Sequence, residues 1–461
     1  MSTLGPCLAT GDVNGDGNDD IYLGGCAGTN GVLYIQQADG GFLPSTSNPW
    51  NAHKASEDID ALFFDADGDK DMDLYVASGS NEFAVGSPLY KDRLYINEGG
   101  GKFSDGSNRI PALTFSKGVV RAADIDQDGD QDLFVGGRQV PGFYGKSERS
   151  AFLINEKGTF VDKTIDLCPE MATAIGMVSG ATFVDLDKDR DFDLVVVGEW
   201  MSPMVFSNES GKFKNETTKY GMENLKGWWN VILSEDVDGD GDQDLIAGNL
   251  GMNTKFKASV EKPFKVFLKD FDENGTWDIY LGSYDRDGKY YPVRGRQCSS
   301  EQMPFIKEKY KTYNEFASHS IDDILEGMKE GAFVKDVTEF HSGIFINEGG
   351  SFAFKPFNNM DQIAPIQDVV VYDVNKDGYK DLIYGGNYYN REVETTRSDA
   401  GVGGILLNDG KGNFKHVPSK QTGLKLTQDL RKLRYVKSGP YDLMIAGFNN
   451  ANLKAYLLGQ Q

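Results

Sequence analysis

Asp12, Asn14, Asp16 and Asp20 occupy positions 1, 3, 5 and 9 of a nine-residue run, and the same spacing returns six more times along the chain. The later sets are Asp65, Asp67, Asp69 and Asp73; Asp124, Asp126, Asp128 and Asp132; Asp185, Asp187, Asp189 and Asp193; Asp236, Asp238, Asp240 and Asp244; Asp270, Asp272, Asn274 and Asp278; and Asp373, Asn375, Asp377 and Asp381. The chemistry open to such a set is coordination of a hard cation. Ca2+ takes about six to eight oxygen ligands in flexible geometry, and side-chain oxygens at these positions with a backbone carbonyl at position 7 can wrap one. Glycine at position 6, as at Gly17, Gly129, Gly241, Gly275 and Gly378, permits the left-handed turn that swings the chain back round the ion. Zinc or copper would want His or Cys, which the loops do not offer. An EF-hand would place helices on both sides and a Glu at position 12, which is missing here. The spacing therefore predicts Ca2+ at up to seven sites, in a structural role, because converging carboxylates repel one another until metal binding supplies folding free energy.

Two loops depart at position 6, with Lys70 and Arg190, and the fourth loop also carries Lys188. That loop is expected to bind its ion more weakly than the third or fifth, or to tuck its cations aside. An isolated acidic run ordinarily reads as a solvated face, but solvation gives no reason for a fixed phase repeated seven times. More than a third of the 70 acidic residues sit at these ligand positions, and the formal net charge is −23. That charge argues against a nucleic-acid or anionic-membrane partner.

The elements that must position these loops repeat with them. A β-type run precedes each loop (Leu8, Ala61, Ala181, Asp368) and another follows it (Ile21, Leu74, Leu133, Leu194, Leu382), which predicts a hairpin. A third run, often ending in Asn, returns at Val32, Arg93, Ala151, Gly343 and Gly404, and a short fourth at Phe42, Phe103, Phe160, Phe213, Phe352 and Phe414. Four-stranded units at a period of roughly 50–60 residues predict an all-β fold, a β-propeller built of blades. Seven blades with one enlarged, or eight, account for the pattern: Asp270 follows Asp236 too closely for one period, and Asp373 follows Asp270 too distantly. A last unit near 435–458 keeps the strands without the acidic loop. The whole chain, 1–461, is read as a single propeller with a partly helical insertion at 285–340 in the irregular blade. Within it, Phe305 to Phe316 and Ser320 to Met328 have helical spacing, the second starting with a Ser suited to an N-cap. The insertion reads as a brace over the irregular blade, or as a lid or docking element.

No apolar stretch approaches the length of a membrane span, and nothing from Met1 to Cys7 reads as a signal peptide. The abrupt entry into the first repeat carries the expectation of a missing export signal and upstream domain. Cys7 and Cys26 stand nearly opposite across one hairpin and invite a disulfide, which an exported chain would permit. Cys168 and Cys298 fit either free burial or a long-range bridge.

The loop consensus, followed by small pairs such as Gly24-Gly25, Gly136-Gly137 and Gly385-Gly386, resembles the FG-GAP or VCBS repeat shared with the integrin alpha-chain propeller. Longer stretches, at 198–201, 227–230, 248–253, 291–294 and 392–397, resemble the ASPIC/UnbV-associated VCBS proteins of Bacteroidota-type bacteria. The resemblance implies an extracellular or cell-surface protein, associated with the outer membrane. It also implies that the metal loops join first and second strands on one face, so that second-to-third connections emerge on the other. Those connections are the long ones, at 79–92, 138–149, 249–262, 283–342 and 387–403. A ligand-binding rim is therefore expected at Asn81, Glu82, Arg138, Glu199, Trp200, Asn249, Tyr284, Asn387 and Tyr388, which suits a protein or glycan partner. Taken singly, Trp200, Trp228 and Trp229 also fit packing between blades.

Three functions follow in order: a binding module, a polysaccharide lyase-like enzyme on a calcium-bearing propeller, and a structural subunit of a secreted or outer-membrane assembly. No catalytic residues are assigned. The four His (His53, His319, His341, His416) form no paired motif, and Tyr388 and Arg391 have no supporting spacing.

Overall fold

Leu8–Gly11 pairs antiparallel with Asp20–Leu23 across the first acidic loop, and the other six loops close hairpins in the same way. The computed structural model that shows this describes residues 4–285, 287–391 and 394–459; Glu392 and Val393, the start of one stretch used for the resemblance, lie outside them. The fold is a β-propeller. Each strand is short, apolar on the faces that meet neighbouring sheets, and stopped by Gly, Asn or Asp turns, so a single sheet has little independent stability and needs its neighbours.

Among the described residues eight sheets form, and seven of them follow one another round a ring as blades. Their first strands are Leu8–Gly11, Asp58–Phe64, Lys117–Ala123, Met177–Val184, Val231–Glu235, Asp368–Tyr372 and Leu430–Ser438. Each packs on the next, and the last packs on the first, so the ring closes. The core lies between sheets. Tyr75 and Leu94 of the second blade, for instance, share a cluster with Val120, Leu133 and Leu153 of the third. Among the described residues no strand is exchanged at the closure: Asp19 N–H donates to Lys437 O at 3.1 Å, Lys437 N–H to Asp19 Oδ2 at 2.7 Å, and Arg434 Nε to Leu8 O at 3.0 Å. Among the described residues the seventh blade has three strands, and it turns tightly at Ser438–Tyr441 without an acidic loop.

The eighth sheet is Tyr290–Pro292, Asp278–Tyr284, Phe264–Lys269 and Phe333–Val337, in that spatial order. It is inserted between the second and third strands of the fifth blade, Asp244–Gly248 and Gly343–Asn347. The insertion thus starts near Asn249, earlier than the 285–340 read from the sequence. The Asp270 loop belongs to it and not to a compressed blade. A hairpin forms from local residues, whereas its place in or out of the ring is decided by distant packing, so the two kinds look alike in sequence. Among the described residues the insertion's helices are four short ones, Arg296–Gln302, Phe305–Lys309, Tyr313–Ala317 and Ile321–Ile324. Ser320 caps the last with a reciprocal bond to Asp323. The run from Phe305 to Phe316, expected to be one helix, is broken between Lys309 and Tyr313.

All four cysteines are free. The Cys7–Cys26 pairing is corrected by register: Gly24, whose N–H donates to Cys7 O at 3.1 Å, lies opposite Cys7, and the Cys7 side chain is buried while Cys26 is exposed. No helix among the described residues is long and apolar enough to cross a membrane.

Candidate functional site

The seven acidic loops share one hydrogen-bond framework. The position-1 carboxylate accepts from the backbone N–H of position 6, as in Gly17 to Asp12 Oδ2 at 2.7 Å and Gly378 to Asp373 Oδ2 at 3.0 Å. The position-5 side chain accepts from the N–H of position 7, as in Asp242 to Asp240 Oδ1 at 2.8 Å. The position-9 carboxylate, buried in every loop, takes the N–H of position 2 on one oxygen, as in Ala66 to Asp73 Oδ2 at 2.8 Å. In the six ring loops its other oxygen takes the N–H of the last residue of the third strand, as in Asn97 to Asp73 Oδ1 at 2.8 Å. Positions 4 and 6 both have positive φ in all seven loops. The sequence reading found position 6 and missed position 4, where Gln127, Lys188, Glu273 and Lys376 adopt the left-handed form without glycine.

The donor set fits a divalent cation. In the second, third, fifth and sixth loops, oxygens of positions 1, 3 and 9 lie within 4.8 Å of one another, and in the fourth those of Asp185, Asp187 and Asp189 do. The first and seventh loops have Asn14 and Asn375 at position 3, each with its Nδ2 turned to the position-5 carboxylate, Asp16 Oδ2 at 3.2 Å and Asp377 Oδ2 at 2.8 Å. Asp67 Oδ1, Asp124 Oδ1, Asp185 Oδ1 and Asp272 Oδ1 are buried with no hydrogen-bond partner, which is costly for an anion unless a cation takes the lone pairs. Burial pushes Asp73 and Asp132 up to about 7, and Asp20, Asp193 and Asp244 up to about 6, in spite of two backbone donors each. A cation bound there would be held by all-oxygen ligands from positions 1, 3, 5 and 9 and would neutralise this repulsion. In the fourth loop Lys188 turns away and pairs with Asp242 of the fifth, so its cation is tucked aside as one expected alternative had it.

At the other end of the axis, where first strands begin and second strands end, lies a cavity of about 340 Å3. Four of the nine rim residues line it: Arg138, Glu199, Trp200 and Tyr388. Asn249 and Asn387 are fully buried braces, Asn249 accepting from Trp228 N at 3.0 Å and Asn387 donating to Gly401 O at 3.0 Å. Asn81 and Glu82 are exposed on the second blade's long loop, where Asn81 Oδ1 pins the third blade's loop through Gln139 Nε2 at 3.0 Å. Tyr284 stands on the inserted sheet against Tyr290. Of the tryptophans, Trp229 is interblade core, whereas Trp200 and Trp228 meet edge to face at 5.0 Å beside the cavity.

Sequence reasoning did not assign Arg391, Arg431, Trp228 or the inserted sheet's Leu281 to this cavity. The two arginines flank the Tyr388 ring, with guanidinium carbons 5.7 and 5.0 Å from its centroid. Arg138 pairs with Glu199, which also accepts from Tyr144 Oη at 2.8 Å. Burial pushes the Tyr388 phenol up, with Glu199 adding to it and three arginines opposing. The insertion therefore does more than brace: it supplies one wall of the mouth.

The FG-GAP-like repeat family model matches residues 12–76, 77–135 and 185–247. The first and third matches each begin at an acidic loop and end in the second strand of the next blade, so the chain carries this repeat. Among solved structures it is similar to a chain of the crystal structure of BBS1N in complex with ARL6DN, at 10% identity over 99% of this chain and 92% of that one, with a TM-score of 0.45. It is also similar to the V. cholerae biofilm matrix protein Bap1, at 11% identity over 99% and 87%, with a TM-score of 0.38. No curated protein matches the chain.

Proposed function

We propose that the chain is a calcium-stabilised interaction propeller of the extracellular space or cell surface, with acidic loops that rivet the blades and an axial mouth that takes a protein or glycan partner. The observation that carries this reading is the mouth itself: a cavity at the ring axis, on the face away from the ring's acidic loops, lined by Arg138, Glu199, Trp200 and Tyr388. Aromatic rings and a few convergent polar groups in a concave site are the ordinary composition of a recognition pocket. The buried, unpartnered loop carboxylates support the calcium part.

The enzyme alternative finds less support in the same residues. Both Glu199 oxygens are engaged by Arg138 and Tyr144, and burial keeps the Tyr388 hydroxyl protonated, so neither is poised as a base.

The test is capture of surface proteins and glycans from the producing cell by the immobilised chain, with calcium and with a chelator. The companion variant is Asn390→Trp, an exposed lining residue whose enlargement blocks the mouth without disturbing the core. Capture is expected with calcium, reduced by chelation and lost in Asn390→Trp. Equal capture by the blocked variant would displace the site from the mouth, and no capture under any condition would remove the binding reading.

A further inference from the structure

The mouth holds more positive charge than its surroundings neutralise. Arg391 and Arg431 flank the Tyr388 ring and Arg138 lines the same cavity, Arg138 and Arg431 both at least nine-tenths buried, on a protein whose formal charge is −23. Arg138 has Glu199 as partner and Arg431 has Asp429 at 3.0 Å. Among the described residues Arg391 has no acidic partner. Even the paired ones are incompletely satisfied: Arg138 Nε and Nη1, Arg431 Nε, and Arg391 Nε and Nη2 are buried without a hydrogen-bond acceptor. Trp228 Nε1, in the same lining, is a further buried donor without one. The buried side-chain atoms left without a partner among the described lining residues are all donors, and buried unpaired guanidinium N–H groups are costly to leave that way. Burial pulls Arg391 down to about 10, the mark of a cation short of an anion.

We infer that the mouth recognises a carboxylate presented by an acidic peptide segment of a protein partner, a reading that rests on the mouth being the binding face. Guanidinium forks match a planar carboxylate bidentately, and three of them converge. The rest of the wall decides between peptide and sugar. Ile59, Leu250, Phe256, Leu281 and Pro365 line the cavity beside the arginines. A hydroxylated uronate would bury its hydroxyls against these apolar groups without partners, whereas an acidic side chain or chain terminus flanked by an apolar residue satisfies both surfaces.

The probe is the tetrapeptide Ac-Leu-Leu-Glu-Glu with a free C-terminus, titrated into the calcium-loaded chain and followed by calorimetry and by the fluorescence of Trp200 and Trp228 in the wall. Its neutral counterpart is Ac-Leu-Leu-Gln-Gln-amide, and sodium sulfate and sodium glucuronate are separate arms. Saturable binding of the acidic peptide is expected, about tenfold or more tighter than the neutral one. Arg391→Gln should remove that difference and Arg391→Lys restore part of it. Arg391 makes no ion pair among the described residues, so thermal melting of the variant should match the parent and isolate the binding effect. Equal affinity for both peptides, no saturable response to any probe, or indifference to Arg391→Gln would overturn the inference. Tighter binding of glucuronate would overturn the peptide class, and sulfate binding as tightly as the peptide would overturn the carboxylate. Partner capture that is lost in Asn390→Trp but unchanged in Arg391→Gln would keep the mouth as a binding face and remove only its carboxylate specificity.

Discussion

Asn155, at the end of the third blade's third strand, donates its Nδ2 at 2.9 Å to the carbonyl oxygen of Ala66, position 2 of the second blade's acidic loop. Its own N–H meets Asp132 Oδ1 at 2.7 Å, so one residue ties its blade's loop to the loop before it. Asn97 reaches Val13 O at 2.8 Å, Asn208 reaches Ile125 O at 3.0 Å and Asn408 reaches Val237 O at 2.7 Å in the same way. Gln36, one carbon longer, makes the link across the closure to Lys437 O at 3.1 Å. The acidic face is thus stitched round much of the ring by backbone and amide groups before any ion is considered.

Asn155→Ala leaves the buried carbonyl of Ala66 and the part-buried one of Gln131 without this donor, and a cost of about 1–3 kcal/mol is expected. Asn155→Asp should cost more, because it sets an acceptor against two carbonyls beside Asp132. Urea unfolding midpoints check the order; an Asp variant as stable as the parent would show the latch to be idle.

The fourth loop should bind calcium more weakly than the fifth. Lys188 and Arg190 hold positions 4 and 6 at φ 64° and 78°, where the fifth loop has Gly239 and Gly241. A non-glycine residue there costs about 1 kcal/mol, so Arg190→Gly should raise stability by about that amount. In calorimetric calcium titrations Asp238→Ala should lose more affinity than Asp187→Ala. Removing calcium from the parent should lower the melting temperature, since an ion at a hundred times its dissociation constant adds about 2.7 kcal/mol per site.

The sequence carried the loops and the hairpins because both are local: a nine-residue run sets its own turn, and the flanking strands pair across it. The ring itself was less legible. The Asp270 hairpin has the local pattern of a blade, yet it packs Phe264, Val266 and Leu281 against Met177 and Trp200 of the fourth blade, a contact no local pattern encodes. Asn249 and Asn387 looked like rim groups because they are polar and end second strands; their amides are consumed by loop backbone. Arg391 and Arg431 carry no spacing signal, since one comes from a long loop and the other opens a strand of the next blade.

Asp60 links stability to acid pH. This buried carboxylate on the second blade receives Arg121 Nη1 at 2.9 Å from the third and Lys432 Nζ at 3.1 Å from the seventh. Burial alone would raise it, but Lys432, Arg121 and Arg434 overcome that and hold it at about 2, below its ordinary 3.8. Its folded state therefore favours the ionised form: the stabilisation, about 2.5 kcal/mol for such a shift, is complete above the ordinary value and lost as pH falls from about 4 towards 2. Asp60→Asn leaves Arg121 and Lys432, both only partly buried, without their carboxylate and should cost about 2–3 kcal/mol at neutral pH. The gap between parent and variant should narrow in urea midpoints taken at decreasing pH through that window. The loop carboxylates titrate in both proteins and cancel; a gap independent of pH would reject the role.

The glycine pairs that end second strands owe their second member to backbone proximity. A Cβ at Gly137 would lie 1.8 Å from Arg149 O, at Gly25 2.4 Å from Thr29 O, and at Gly386 2.0 Å from Pro365 O. None of these three has a positive φ, so the constraint is space and not backbone conformation. The neighbours in contact are carbonyls of the loop that leads into the third strand or, for Pro365, into the same blade's first strand, and they move only if the mouth's loops move with them. Gly137→Ala should therefore cost at least the 1–3 kcal/mol typical of overpacking and, because Arg138 follows directly, displace its guanidinium from Glu199. Gly129→Ala, where nothing lies within 4 Å but φ is +98°, carries only conformational strain of about 1 kcal/mol. Unfolding midpoints should rank Gly137→Ala well below Gly129→Ala, and acidic-peptide binding should weaken in the first while staying at the parent level in the second. The reverse ranking would mean that the loops yield freely and that the small pair does not position the mouth.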